Sequence, residues 1–365
     1  MNRVVYFVAI STLLNLVSCK PRFLETRNLE VHKAHNKHTG PQLKAVKVRP
    51  TEQSEILKDI KNKYMTREEL KQHMSEILRK ENPMLTNSMK SFCNKVDKKF
   101  IHWGWSRSFC RHFKWHHVRN SVNGDPLMWV AYGDEDEHKK NPKDTTLIMC
   151  GIHGDEITPI KFCYDILYHL EAMEHELVEG HEIFKDKMVI VAPIVNPDSF
   201  FKRRPSRTNA RGVDVNRNFP TKDWYKDAIR LWKKRYRSDK RRFPGKKPLS
   251  EPETVYQVNL IKRYKPNKII SVHAPLTLLD YDGPEAEHSE THAGASELLI
   301  QMSEKAQGYK IKNYPFFPGS LGNWAGNERG IPTYTLELPT SDNRKHKKYW
   351  KQFQAAIESA IFKSL

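Results

Sequence analysis

Residues 145 to 174 read TTLIMCGIHGDEITPIKFCYDILYHLEAME. The opening run, Thr145 to Cys150, is short, apolar and β-branched, as a strand buried on both faces should be. From Ile157 to Glu174 the period changes, and Ile160, Tyr164, Leu167 and Leu170 recur at helical spacing. Between strand and helix lies Gly151-Ile152-His153-Gly154-Asp155-Glu156, a turn too short to be anything but a direct connection. Working outward, Met188 to Val195, Lys268 to His273 and Thr333 to Leu338 read as three further buried strands. Ser250 with Glu253 predicts a capped helix running to about Tyr264. Strands alternating with helices predict an α/β fold, a mixed, mainly parallel sheet flanked by helices. In such sheets ligands gather at the carboxyl ends of the strands.

The remainder of the 365 residues frames that unit. A mean hydropathy of −0.72 excludes a protein of many membrane spans. The net charge of +19 raises nucleic acid as a partner, but the excess is local. Residues 20 to 100 carry 19 basic and 10 acidic side chains, and residues 221 to 247 carry 12 and 3. Residues 1 to 18 have one arginine before an apolar run, too short for a stable span, and read as a signal peptide. The sequence Leu16-Val17-Ser18-Cys19 resembles a lipobox, which makes Cys19 the expected lipidation site. Lys20 after it favours an outer-membrane, periplasm-facing lipoprotein. Residues 19 to 99 read as a basic tether with one short helical element. That element is expected over Thr66 to Lys80, where Thr66 and Glu69 form a capping box. The catalytic domain is expected from residue 100 to 365. Cys93 and Cys110 can pair in an oxidising compartment, whereas Cys150 and Cys163 read as free buried thiols.

Three of the four strands end in residues suited to metal chemistry. His153 and Glu156 stand three apart where a strand turns into a helix, and His273 ends another strand. Two imidazoles and a carboxylate are a catalytic zinc donor set. Glu337 is a carboxylate set in an apolar strand, a costly place without a partner or a task, and beside a metal it suits a general base and acid. His-x-x-Glu alone is a weak signal. It gains weight from Asn196-Pro197-Asp198 and from RTNARGVDVNRNFP, residues 207 to 220.

With those motifs the chain resembles the zinc carboxypeptidase family, the M14 metallopeptidases, from about Asn120 to about Pro339. Within the family it looks most like the bacterial murein peptide amidases, on His273-Ala274-Pro275-Leu276, on DYDGP at 280 to 284 and on PGSLGNWAG at 318 to 326. The resemblance implies a zinc carboxypeptidase-like fold and one Zn2+ held by His153, Glu156 and His273. It implies Glu337 as the catalytic carboxylate and Arg207 as the arginine that polarises the scissile carbonyl, with Arg211 the near alternative. Asn216 and Arg217 would grip the substrate carboxylate, since a guanidinium fork suits that planar group. Tyr314 would cap the substrate, and Asp214 would brace the loop rather than ligate the metal. The implied reaction is hydrolysis of the γ-D-glutamyl–diaminopimelate bond of peptidoglycan stem peptides by zinc-bound water. The alternatives are a carboxypeptidase of ordinary peptides and, from another class, a catalytically silent envelope-tethering module. The basic insert at 222 to 247, with Trp224, Tyr225, Trp232 and Tyr236 interleaved, is expected as an amphipathic helix meeting anionic wall polymer or membrane, not nucleic acid.

Overall fold

A computed structural model of the chain describes residues 67 to 284 and 290 to 365. The signal peptide, Cys19 and Thr66 lie outside the described residues. Among the described residues seven strands form one sheet: β1 (Trp115–Asn120), β2 (Pro126–Tyr132), β3 (Asp144–Met149), β4 (Lys187–Ala192), β5 (Lys268–His273), β6 (Leu278–Asp282) and β7 (Thr333–Glu337). Their spatial order is β1-β2-β4-β3-β5-β7-β6. The central four, β4-β3-β5-β7, are parallel, while β1, β2 and β6 pair antiparallel at the two sides. Those central four are the strands expected from sequence. Of the antiparallel strands, β1 is largely polar and β6 alternates Leu279-Asp280-Tyr281-Asp282, so neither reads as an apolar run, whereas β2 is a continuous apolar run absent from the strands expected from sequence.

The main helices are α1 (Arg67–Leu78), α2 (Asn87–His102), α3 (Ile157–Glu174), α4 (Pro252–Tyr264), α5 (Glu290–Lys305) and α6 (His346–Phe362). Side chains alternate across each strand, so the two sheet faces feed two cores. Ile148, Val189, Ile270 and Leu336 pack with Ile160, Leu167, Leu298, Phe353 and Ile357 on the side of α3, α5 and α6. Leu147, Met149, Ile190 and Ile269 pack with Tyr256, Leu260 and Tyr264 of α4 on the other. The result is a helix–sheet–helix sandwich. Among the described residues no helix is long and apolar enough to cross a membrane.

Three local expectations change. Glu251, not Ser250, is the N-cap residue of α4, because Pro252 takes the first helical turn; the Ser250 hydroxyl donates to the Glu251 carboxylate. The folded body extends back across residue 100: α2 starts at its Thr86 cap and buries Phe92, Val96 and Phe100 in the main core. The Cys93–Cys110 disulfide ties that helix to the segment before β1. Cys150 and Cys163 are not free thiols but a second disulfide, with Cα atoms 6.2 Å apart. The helical rotation from the end of β3 into α3 turns the Cys163 side chain back over the strand end, a juxtaposition that spacing alone does not reveal.

Candidate active site

The turn from β3 into α3 holds His153 and Glu156, and the end of β5 holds His273; all three are buried. Glu156 sits between the imidazoles, with Oε1 2.7 Å from His153 Nδ1 and Oε2 2.8 Å from His273 Nδ1. One donor atom from each residue lies within 4.8 Å of the others. Two Nδ1 nitrogens and a carboxylate converging on one point are the donors a catalytic zinc takes, so the residues fit the ion. Burial works against the Glu156 charge, but both histidines hold its carboxyl far below the ordinary range.

Asp214 joins the metal ligands to the rest of the site. Its Oδ1 is 3.0 Å from His153 Nε2 and accepts the Asn216 backbone N–H at 3.1 Å. Its Oδ2 accepts Arg207 Nε at 2.9 Å. Burial alone would raise the Asp214 carboxyl, yet Arg207 and His153 keep it well below its usual value. A carboxylate on the outer nitrogen of a metal-binding histidine fixes that ring's tautomer and direction. Arg207 also reaches Glu156 Oε1 at 3.4 Å and lines the cleft. Arg211 turns away instead, donating to the Ser250 carbonyl and facing Glu251 at 3.7 Å.

Glu337 ends β7 directly opposite His273 in the parallel register. Its Oε2 accepts the Leu276 N–H at 3.2 Å, and burial pushes its carboxyl up. Arg217 is buried, its guanidinium 4.2 Å from the Phe317 ring centre, and its Nε has no hydrogen-bond partner among the described residues. Burial lowers its pKa to about 10. Asn216 lines the same cleft, and its Oδ1 accepts the Leu321 N–H at 2.8 Å, which fixes the 318–326 turn. Tyr314 reaches the cleft wall with its backbone N–H on Asp280 Oδ1 at 2.8 Å. The cleft enclosed by these groups has a volume of about 440 Å3.

Sequence reasoning missed two contributors. The basic insert turns inward: Asp239, Arg241 and Arg242 line the cleft, and Arg241 pairs with Asp155 at 2.8 Å. Trp232 packs on Phe243 with ring centres 4.9 Å apart, and Arg242 covers Tyr236, which folds this insert against the wall. The second is a polar floor of Ser271, Asp280, Asp282 and Thr335. Two histidines near the start of the sheet do structural work, His112 on Glu171 at 2.8 Å and His116 stacked on Trp129.

Comparison with known proteins agrees with this geometry. Residues 107 to 359 match the family model described as zinc carboxypeptidase, Peptidase M14. The chain is 30% identical over 236 residues to murein peptide amidase A of Escherichia coli strain K12, covering 63% of this chain and 84% of that protein. Among solved structures, bovine thrombin-activatable fibrinolysis inhibitor has a TM-score of 0.52 at 19% identity, covering 78% of this chain and 98% of that one. Carboxypeptidase A of Helicoverpa armigera has a TM-score of 0.51 at 15% identity, covering 86% and 87%. These two share the fold. With the family match spanning more than half its length, the chain belongs to the zinc carboxypeptidase family, the M14 metallopeptidases.

Proposed function

We propose that the chain hydrolyses peptidoglycan stem peptides at the bond between the γ-carboxyl of D-glutamate and diaminopimelate. The observation that carries this reading is one cleft holding a zinc donor set, the partly buried Glu337 carboxylate opposite His273 and a buried arginine with an unpartnered donor. The likeness to murein peptide amidase A supports the substrate class. His153, Glu156 and His273 would hold the zinc, which when bound polarises a carbonyl and acidifies water. Arg217, with Asn216 beside it, binds the free carboxylate of the residue after the scissile bond. Arg207 donates to the scissile carbonyl as negative charge develops on its oxygen. Glu337, whose proton affinity is raised by partial burial, takes the proton of the attacking water in its ionised form and, once protonated, delivers it to the departing amine. Tyr314 closes over the bound peptide from the opposite wall.

The exported location and the Cys19 anchor belong to the same proposal. Two disulfides support it, since such bonds persist in oxidising compartments. The basic side chains of the insert that do not face the cleft would meet anionic wall or membrane. The test offers purified L-Ala-γ-D-Glu-diaminopimelate beside an α-linked peptide of equal length, with products identified by mass. Release of free diaminopimelate is expected. Cleavage of the α-linked peptide alone would refute the bond assignment and leave an ordinary carboxypeptidase.

A further inference from the structure

The basic insert that folds against the cleft wall ends in one short helical turn, Lys240–Arg242, and the Asp239 side chain before it accepts the Arg241 backbone N–H at 2.9 Å. The turn delivers two neighbouring arginines to different partners. Arg242 lies over the Tyr236 ring, 4.7 Å from its centre, with its Nε 3.5 Å from Asp239. It belongs to the Arg217 end of the cleft, where burial weighs most against the Arg217 charge and the repulsion of Arg207 and Arg242 adds to it. Arg241 instead meets Asp155, its guanidinium 2.8 Å from Oδ2.

Asp155 fixes where that guanidinium stands. It directly precedes the metal donor Glu156, and its backbone N–H donates to the Ser206 carbonyl at 3.1 Å, beside Arg207. Arg207 also feels its charge: burial opposes the Arg207 guanidinium, while Asp214, Glu156 and then Asp155 favour it. In the proposed reaction Arg207 serves the scissile carbonyl. Arg241 therefore stands on the side of the residue that supplies this carbonyl, whereas Arg217 serves the residue after the bond. An ion pair whose arginine is 59% exposed contributes little to stability, so bracing the fold is a weak reason for it. The contact is also single-pronged, since Asp155 Oδ1 has no hydrogen-bond partner among the described residues. Asp155 is the one side-chain partner of Arg241 among the described residues, and the rest of its five donors face the cleft free. A guanidinium aimed in this way keeps an open edge for a second carboxylate.

We infer that Arg241 binds a free carboxylate on the residue before the scissile bond. The ligand class is a glutamate whose carboxylate lies four bonds from the scissile carbonyl carbon. Glutamate joined through its γ-carboxyl meets that description with its α-carboxylate, and α-linked glutamate meets it with its side chain. The cleft thus reads one carboxylate on each side of the bond, Arg241 before it and Arg217 after it. This inference rests on the proposed peptidase reading and names the feature by which the residue before the bond is chosen.

The test measures kcat/KM for four tripeptides. Two are γ-linked, L-Ala-γ-D-Glu-diaminopimelate and the same peptide with the glutamate α-carboxylate converted to its amide. Two are α-linked, Ala-Glu-Lys and Ala-Gln-Lys. Within whichever linkage is cleaved, the acid is expected to be preferred over the amide at least tenfold, and the preference should shrink as salt screens the charge. Arg241→Gln should bring the ratio close to one with zinc content unchanged. Arg241→Lys, which keeps the charge but not the fork, should retain a severalfold preference. Equal rates for acid and amide in the wild type would overturn the inference. So would a preference that survives in Arg241→Gln, or a loss in that variant that falls equally on acid and amide, which marks a purely structural turn. An acid preference confined to α-linked peptides upholds the subsite and refutes the bond assignment. Cleavage of γ-linked peptides without that preference does the reverse.

Discussion

Replacing Asp214 by Asn tests how the site is held together. The substitution keeps the shape of the side chain and removes one charge and one acceptor. In the structure both oxygens are occupied, one by His153 Nε2 and the Asn216 N–H, the other by Arg207 Nε. An asparagine has only one accepting atom, so its NH2 must face either the Arg207 N–H or the His153 and Asn216 side. One buried donor then meets another, at a cost of about 1–3 kcal/mol. If the amide faces His153, the ring loses the partner that fixes its tautomer, and zinc affinity should fall by roughly 10–100-fold. If it faces Arg207, the guanidinium loses its anchor and kcat should fall even when zinc is saturating. Competition with a chromophoric chelator measures the first effect, and steady-state kinetics in zinc buffer measures the second. Arg211→Ala is the control, because that side chain lies outside the cleft and should leave both quantities unchanged. Zinc affinity and saturated kcat both within twofold of wild type in Asp214→Asn would refute the bracing role.

Two other outcomes are expected. Glu337→Gln should retain zinc, since the ligands are elsewhere, while turnover drops by roughly 10²–10⁴-fold through loss of proton transfer; zinc analysis with single-turnover kinetics checks both. Glu253 is buried with an Asn209 amide on its carboxylate, and burial pushes its pKa up to about 7, above its ordinary 4.5. The folded state therefore holds this proton more tightly than the unfolded chain does. Its contribution to stability is complete below pH 4.5 and is lost as pH rises through about 7. Glu253→Gln should thus gain on wild type across that window, by up to about 3 kcal/mol. Denaturant titrations at pH 5 and pH 8 measure it, and equal differences at the two pH values would contradict the sign.

What the sequence discloses here follows from what each residue's environment demands. Strands β3, β4 and β5 are buried along almost their whole length, so they are written as largely apolar runs and can be read as such. Strand β6 lies at the sheet edge over an open cleft, and its alternation of Asp280 and Asp282 with Leu279 and Tyr281 mixes core and solvent signals. The metal donors are legible because His, Glu and His at strand ends satisfy a fixed chemical requirement. Asp214 is less legible, since a bracing carboxylate looks like any loop aspartate until the His153 ring is seen against it. The inward turn of the basic insert depends on Trp232–Phe243 packing and on the Arg241–Asp155 pair, contacts between residues far from any periodic pattern. In β7, Thr333-Tyr334-Thr335-Leu336-Glu337, polar and apolar residues alternate, and the polar face is the one that lines the cleft.

The Cys150–Cys163 bond gives the metal centre an uneven construction. It closes a ring of chain that contains His153 and Glu156 but leaves His273, which arrives from a strand more than a hundred residues later. Those two ligands, three residues apart, are near one another in any state of the chain, and ring closure further narrows the conformations open to them when unfolded. The third is brought only by completion of the sheet. The centre is thus fastened by two independent means, a covalent link that answers to thiol reductants and an ion that answers to chelators. Stripping the ion would remove the link between the β3–α3 turn and the end of β5 without opening the ring. Reducing the ring loosens the first two ligands while the sheet still presents the third, so the two treatments dismantle the site from opposite ends.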